Sequence, residues 1–215
     1  MNHPMRTFTK TITGAATAAL AAIALLSVAP TLALAETETY RIDPGHTNIG
    51  FKVRHFFSKV PGRFNEFEGQ IVLDRENLTE GSSVEFTIDI ASIDTNNPSR
   101  DKHLRSDAFF DVENHPKMTF KSRKVTSAGE NKLKVEGDLT IRGITKPVSL
   151  EVDVLGFGKG YGFRGGFEVR TTIDRQEFNV SWNDLVEGAG VLGDEVEILM
   201  NIEAVRLKKT SEVTP

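Results

Sequence analysis

Apolar and polar residues alternate one by one along most of the chain beyond residue 48. Successive side chains of a β-strand point to opposite faces of a sheet, so a period of two predicts strands with one buried face and one wet face. Branched and aromatic residues, which favour strands, are frequent in this part of the chain. Eight segments show the alternation: 49–53, 67–73, 84–90, 118–120, 133–141, 148–154, 167–173 and 196–204. The predicted fold class is therefore all-β.

Turn signals separate the eight segments. They lie at Pro61-Gly62, at 80–82, 128–130 and 143–147, and in the glycine-rich stretch 156–166. Short connections predict antiparallel neighbours, because a parallel pair needs a long crossover. One stretch departs from this pattern, since Asn97-Pro98 offers an N-cap and a proline for the first helical position and predicts a short helix over 99–107. No linker or repeat divides this part of the chain, so we expect one domain.

Strands with one apolar face either stack as a sandwich or close into a barrel. A closed eight-stranded barrel has an interior just wide enough for its own side chains or for one slender ligand. A long, narrow, apolar interior suits a chain-like lipid better than a compact polar metabolite. A barrel filled by its own side chains is an equal alternative at this point; Gly69 and Gly137, which we expect at inward positions and to leave space, favour a cavity.

The first 35 residues have the layout of a secretory signal peptide. Basic residues precede an apolar stretch over 12–28, and Ala33 and Ala35 supply the small residues of a cleavage site. We expect a signal peptide over 1–35, cleaved after Ala35, and a mature domain over 36–215, with a retained anchor helix as the alternative. Export of this kind leads to the periplasm in a Gram-negative host.

Composition excludes several functional classes. The chain has no cysteine, which rules out disulfide scaffolds, thiolate metal sites and cysteine nucleophiles. Its 26 basic and 30 acidic residues give a formal net charge of −4, which argues against a nucleic-acid partner. A small outer-membrane barrel is a further alternative, but such barrels carry aromatic girdles, and this chain has one Trp and two Tyr.

Three motifs follow one another along the chain: Tyr40-Arg-Ile-Asp-Pro-Gly-His46, Arg100-Asp-Lys-His-Leu-Arg-Ser106 and Gly137-Asp-Leu-Thr-Ile-Arg-Gly-Ile-Thr-Lys-Pro-Val148. Together with shorter matches between them, they resemble the YceI-like family of lipocalin-like, polyisoprenoid-binding proteins. The resemblance implies an extended antiparallel eight-stranded β-barrel with one short helix, enclosing an apolar pore that holds an isoprenoid or similar lipid. It also implies export in many bacteria, no established enzymatic activity and a suspected role in handling isoprenoid quinones.

We therefore expect an exported carrier that holds a polyprenol, quinone or fatty chain for transport, storage or protection, with no catalytic residue and no cofactor. A transient membrane or membrane-protein contact and a homodimer are compatible with this function. The expected cavity lining follows from the alternation, with the last three residues near one end: Phe51, Val53, Phe86, Ile88, Phe120, Leu139, Ile141, Val169, Met200, Phe109, Phe110 and Trp182.

The histidines do not form a metal-binding pattern. No pair among His46, His55, His103 and His115 has the helical spacing of a zinc protease, so we predict no metal site. His55 continues the inward face of the strand at 49–53. Two interpretations stay open for it: a core histidine bonded within the fold, or a polar anchor for a lipid headgroup.

Two further motifs suggest chemistry. Arg100, Asp101, His103 and Arg105 cluster on the predicted helix, where they form either an ion-pair and capping network or the catalytic set of an enzyme acting on a lipid or quinone. The stretch 160–165 matches the glycine spacing of a dinucleotide site. That site needs a helix after the glycines, whereas a strand pattern follows here, so we exclude it.

Overall fold

The computed structural model describes residue 1, residues 36–182 and 191–208, and the backbone alone of 185–186 and 189–190. Apart from Met1, the predicted signal peptide lies outside the described residues. Within the described residues, no helix is both long and apolar enough to cross a bilayer.

The described residues form thirteen strands and one α-helix, α1 (Pro98–Arg105), together with three short 3-10 turns at Pro44–His46, Ile90–Ser92 and Arg175–Phe178. The strands are β1 (Glu38–Ile42), β2 (Asn48–His55), β3 (Ser58–Phe64), β4 (Phe67–Leu73), β5 (Ser83–Asp89), β6 (Ile93–Asp94), β7 (Lys117–Gly129), β8 (Lys132–Ile141), β9 (Ile144–Gly160), β10 (Gly162–Asp174), β11 (Leu185–Val186), β12 (Ala189–Gly190) and β13 (Leu192–Arg206).

Strands β1 to β6 act in pairs as three bent strands of a barrel. The first bent strand consists of β1 and β2, and both pair with β13. The second consists of β3 and β4, where β4 pairs with β1 and β3 pairs with β2. The third consists of β5 and β6, where β5 pairs with β4 and β6 pairs with β3. Strands β7, β8, β9, β10 and β13 continue the sheet, each antiparallel to its neighbour. The β1–β13 pairing closes the barrel. This confirms the predicted all-β, antiparallel eight-stranded barrel with one helix.

The predicted turn at Pro61-Gly62 is wrong. Both residues lie inside β3, where Pro61 is the partner of Lys52 and Gly62 the partner of Phe51. In the described part of the chain, β3 pairs with β6 only at Arg63 and Phe64, so the other edge of its first half carries no ladder. Proline is tolerated on such an edge because no N–H is needed there. The turn itself lies at 56–57.

Helix α1 begins where the sequence predicts. Asn97 is the N-cap, its side chain accepts the N–H of Arg100 at 3.1 Å, and Pro98 fills the first turn. The helix ends at Arg105, two residues before the predicted end. The N–H of Ser106 turns back to the carbonyl of His103 at 3.1 Å, which ends the α-helical pattern.

The two ends of the barrel differ in chemistry. The helix end carries α1, the β8–β9 turn and the 3-10 turn Arg175–Phe178. The opposite end, which we call the Glu38 end, carries the β9–β10 turn and an ion cluster. There Glu38 accepts hydrogen bonds from Arg75 (2.7 and 3.1 Å), Arg206 (2.7 Å) and the hydroxyl of Tyr40 (2.6 Å). The ring of Phe163 lies 4.7 and 5.0 Å from the two guanidinium carbons, which is cation–π geometry.

Burial and charge pairing set the protonation of this cluster. Burial alone would raise the pKa of Glu38, but the hydrogen bonds from Arg75, Tyr40 and Arg206, with the charge of Arg75, outweigh it and lower the pKa to about 2. Burial and the bond to Glu38 raise the pKa of Tyr40 far above its ordinary value. The Glu38 end is therefore held by a carboxylate that stays ionised down to strongly acidic pH.

We predict that Glu38→Gln lowers the free energy of unfolding by about 2–3 kcal/mol at pH 7. The native pKa lies below the ordinary value of 4.5, so the stabilisation is fully present above about pH 5 and is lost as the pH falls toward 2. Urea unfolding of both proteins at pH 7 and pH 3 measures the effect, which should be less than half as large at pH 3. The control is Glu68→Gln, an exposed residue of β4. Equal losses at the two pH values would contradict the assignment.

Candidate functional site: an apolar cavity inside the barrel

A cavity of about 210 Å³ lies inside the barrel, and its surface consists almost entirely of apolar atoms. Side chains from all eight wall strands contribute to it, as do Leu104 of α1 and Phe178 and Val180 at the helix end. Along β8 the lining runs from Leu133 to Ile141. Eight residue steps of about 3.3 Å, tilted by about 40° in a barrel of this size, span about 20 Å along the axis.

Glycines position the phenylalanine rings of the wall. Phe51 is the Cα partner of Gly62, and a Cβ built on that glycine would lie 2.3 Å from the Phe51 ring. Phe86 covers Gly69 in the same way, with 2.6 Å between a built Cβ and the ring. Each ring thus lies across the backbone of the neighbouring strand, as in the aromatic coverage of glycines seen in other sheets.

This packing corrects the expectation that inward glycines leave empty space. Phe86 fills the space beside Gly69, and the ring of Phe120 lies 2.5 Å from a Cβ built on Gly137. The physical reason is that a phenyl ring gains more contact by lying on a bare backbone than by standing in the lumen. The glycines keep the interior open indirectly, because the rings that lie over them stay against the wall.

The structure places eleven of the twelve predicted lining residues on the cavity surface. They are Phe51, Val53, Phe86, Ile88, Phe109, Phe110, Phe120, Leu139, Ile141, Val169 and Met200. Trp182 does not line the cavity, because its ring packs at the helix end against His103 and Phe109, with centroid distances of 4.9 and 5.2 Å. That any of these residues binds a ligand stays a prediction.

Several lining residues do not follow from the alternation. Leu104 follows the helix period, and Leu78 and Ser82 lie in the loop between β4 and β5. Phe64 of β3 is absent from the predicted lining because Pro61-Gly62 suggests a turn. Phe64 lies two residues after Gly62, so it continues the strand period of two, and it is buried. This period is the signal that could have identified Phe64 as a lining residue.

His55 does not reach the cavity, although its Cα partner Leu192 lines it. His55 is exposed at the end of β2, where its ring meets the edge of Phe56 at 5.0 Å. The β2–β3 hairpin extends beyond the closed wall at this point, so the strand alternation no longer selects between core and solvent. His55 is therefore neither a core histidine nor a headgroup anchor inside the cavity.

The polar residues of α1 tie the helix to the chain before it. The carboxylate of Asp101, a buried residue, accepts the Thr95 amide at 2.9 Å and its hydroxyl at 2.5 Å, and Arg100 donates to the Thr95 hydroxyl and carbonyl at 2.7 Å. Arg105 donates to the carbonyls of Ala91 and Ile93 at 2.7 Å. These contacts form a network that fixes the helix at the end of the barrel.

An enzymatic role for the helix gains no support from this geometry. Asp101 and Arg100 form their hydrogen bonds with the backbone and the hydroxyl of Thr95, so neither side chain is directed at a reacting group. His103 is exposed and contacts the rings of Phe109 and Trp182, while the hydroxyl of Ser106 donates to the His103 carbonyl at 2.7 Å. The helix therefore closes the helix end by packing and capping.

One group of side chains has its ligand atoms close enough together to hold a metal ion, judged by distance alone: Asp43, His46 and Glu203. Arg164 already lies between the two carboxylates, 2.6 Å from Asp43 and in contact with Glu203. The hydrogen bond from Arg164, followed by that from His46, lowers the pKa of Asp43 to about 2. The guanidinium is thus the cation of this group.

The strands argue against both a dinucleotide site and an outer-membrane barrel. The glycine spacing at 160–165 runs from the end of β9 into β10, so no helix N-terminus faces a phosphate there. The polarity of the wall does not favour an outer-membrane barrel, because outward positions carry exposed ion pairs such as Lys121–Glu85 at 2.7 Å, while the apolar side chains face inward.

A model of the YceI-like domain matches residues 40–204. The chain belongs to the YceI-like family. A UPF0312 protein of Photorhabdus laumondii is 43% identical over 174 residues, covering 79% of this chain and 87% of that protein. A UPF0312 protein of Vibrio parahaemolyticus is 40% identical over 161 residues, covering 72% of this chain and 85% of that protein.

Solved structures show the same fold. BcnA of Burkholderia cenocepacia aligns with a TM-score of 0.69 at 27% identity, over 76% of this chain and 99% of that one. A YCEI protein of Campylobacter jejuni aligns with a TM-score of 0.62 at 30% identity, over 78% and 96%. A domain of Saccharophagus degradans described as polyisoprenoid binding shares the fold at 14% identity and a TM-score of 0.57, over 78% and 98%.

We predict that Asp101→Ala lowers the free energy of unfolding by about 2–3 kcal/mol, because the buried amide and hydroxyl of Thr95 lose their acceptor. Urea unfolding measures the change. The control, Asp107→Ala, removes an exposed carboxylate two residues beyond the helix and should change stability by less than about 0.5 kcal/mol. Similar losses in both variants would show that the Thr95 bonds are not the source.

We predict that Gly62→Ala narrows the cavity, because the new Cβ displaces the Phe51 ring and no backbone atom lies as close. Binding of a fluorescent fatty acid should weaken by about tenfold, equivalent to about 1.4 kcal/mol. The control is Gly158→Ala, which adds a methyl group to open space on β9. Unchanged binding in Gly62→Ala, with a folded protein by circular dichroism, would show that the ring does not limit the cavity.

Proposed function

We propose that this protein is an exported carrier that holds a long-chain isoprenoid or related lipid inside its barrel. The observation that carries the proposal is the almost purely apolar cavity inside the barrel, to which all eight wall strands contribute. Each buried CH₂ group gains about 0.8 kcal/mol, so a chain of ten such groups gains about 8 kcal/mol before the entropy losses of binding.

The shape of the cavity favours a slender ligand. Its volume of about 210 Å³ lies below the range of about 300–1,000 Å³ that is usual for drug-sized ligands. The lining nevertheless extends over most of the length of β8 and includes Met118 and Met200, whose unbranched side chains adapt to irregular ligands. A polyprenyl tail, a quinone tail or a fatty chain fits such a space better than a compact ring system.

The family supports the same interpretation of the site. The Saccharophagus degradans domain is described as polyisoprenoid binding, and it has the same fold as this chain. We extend that ligand class to this protein because the interior that would receive the tail is apolar here as well. The polar residues of α1 hold the helix in place, so the proposed function is binding without catalysis, for transport, storage or protection.

Export is the second part of the proposal. It rests on the layout of residues 1–35, with its basic start, apolar stretch and small residues at 33 and 35. A carrier of this kind would act in the periplasm of a Gram-negative host. N-terminal sequencing of protein recovered from that compartment tests this part separately, and a start at Glu36 is the expected result.

We predict that Met200→Trp blocks lipid retention by filling the lumen next to Val169, its Cα partner on β10. Native mass spectrometry of protein purified from its host compartment should find bound lipid in the wild type and at least about tenfold less in the variant, equivalent to about 1.4 kcal/mol.

The matched control is Leu199→Trp, which alters the neighbouring residue of the same strand. Leu199 is 39% exposed and points outward, so lipid retention should match the wild type. A wild-type protein that carries no lipid and takes up neither polyprenol nor quinone would contradict the carrier function. Equal retention in both variants would show that the ligand lies elsewhere.

A further inference from the structure

The turn between β2 and β3 presents two phenylalanines to solvent. Phe57 is 104% exposed and Phe56 is 43% exposed. Phe56 also has a left-handed backbone, with φ of 49°, a conformation that bulky side chains rarely adopt. The β7–β8 turn meets the same demand with Asn131, a residue that tolerates it. An exposed aromatic pair in a strained turn points to a role outside the fold.

The hairpin that carries this pair is basic. From Lys52 to Arg63, both included, the chain has four Lys or Arg residues and no acidic residue. Lys59 and Arg63 pair with Glu197 and Asp94, all with partly exposed side chains. Lys52 and Arg54, by contrast, form no ion pair with any residue that the structure describes, and Arg54 donates only to the Phe56 carbonyl at 3.2 Å. The aromatic tip is thus flanked by cations available to an external anion.

The tip also lies beside the cavity. Val53, three residues before Phe56, lines the cavity, and so does Leu192, the Cα partner of His55. The Glu38 end, on the other side of the barrel, is held by its ion cluster. A surface that binds the hairpin tip would therefore lie next to the helix end of the cavity.

We propose that the 54–59 tip docks the protein on an anionic phospholipid bilayer. Phe56 and Phe57 would enter the interface between headgroups and acyl chains, while Lys52 and Arg54 face lipid phosphates. A second copy of the chain fits less well, because a tip-to-tip contact brings together Lys52 and Arg54 of one hairpin with the same two cations of the other. The proposal goes beyond lipid carriage, since it assigns a separate surface through which the carrier meets a membrane.

A tryptophan at the tip tests this directly. The full chain is expressed, purified as the cell processes it, and given Trp182→Phe to remove its single tryptophan, with Phe57→Trp as the reporter. Vesicles of phosphatidylcholine with phosphatidylglycerol should shift the emission to shorter wavelengths, and brominated acyl chains should quench it. The matched control, Tyr161→Trp in the same background, reports from the turn at the other end, where Tyr161 is 97% exposed, and should show neither effect.

Two further variants separate the apolar and ionic parts. Phe56→Ser with Phe57→Ser should weaken vesicle partitioning by about tenfold or more. Lys52→Gln with Arg54→Gln should remove most of the dependence on phosphatidylglycerol content and on salt. Native mass spectrometry of the same variants should find normal lipid retention, which separates docking from the carrier function.

Three outcomes would overturn the proposal. The first is an unchanged Phe57→Trp emission in the presence of vesicles. The second is equal quenching at position 161. The third is an emission shift that depends on protein concentration without vesicles, which would identify the tip as a contact between copies of the chain.

Discussion

The pairing of β13 with β1 and β2 closes the barrel, and the cavity exists because the wall is closed. One edge of β13 meets β10 along eleven residues, and the other edge meets β2 and then β1, so the last strand joins the first. Closure makes the inward positions of all strands face one space. Without it the same apolar faces would have to stack on a second sheet, and the interior would be a layer of side chains without a central cavity.

An open interior is unfavourable for stability, because unfilled space forgoes dispersion contacts. The barrel limits this loss by placing Phe51 and Phe86 over glycines of the adjacent strands, where the rings gain contact with the backbone while they leave the axis free. Stability is also supplied at the two ends. Glu38 and its cationic partners hold one end, and the Thr95–Asp101 bonds hold α1 at the other.

This division gives the two ends different properties. The Glu38 end is closed by charge-assisted bonds to a carboxylate that remains ionised at any physiological pH. The helix end combines the charge-assisted bonds of Arg100, Asp101 and Arg105 with aromatic contacts such as that of Phe109 with Trp182. Hydrophobic contacts are non-directional and adapt to a change in contents more readily than an ion cluster does.

Strand alternation and helix caps are local signals, so they predict the class of fold, the position of α1 and most of the cavity lining without the structure. Residues such as Phe86 and Val169 follow from a period of two alone. The position of His55 does not follow from this period, because its exposure depends on where the hairpin leaves the closed wall. Pro61-Gly62 looks like a turn in the sequence, because the free strand edge that tolerates proline exists only in the assembled sheet. Three features are visible only in the folded chain: Phe rings cover the inward glycines, Arg164 lies between Asp43 and Glu203, and a cavity remains. These features join residues far apart in the chain, so no local pattern records them.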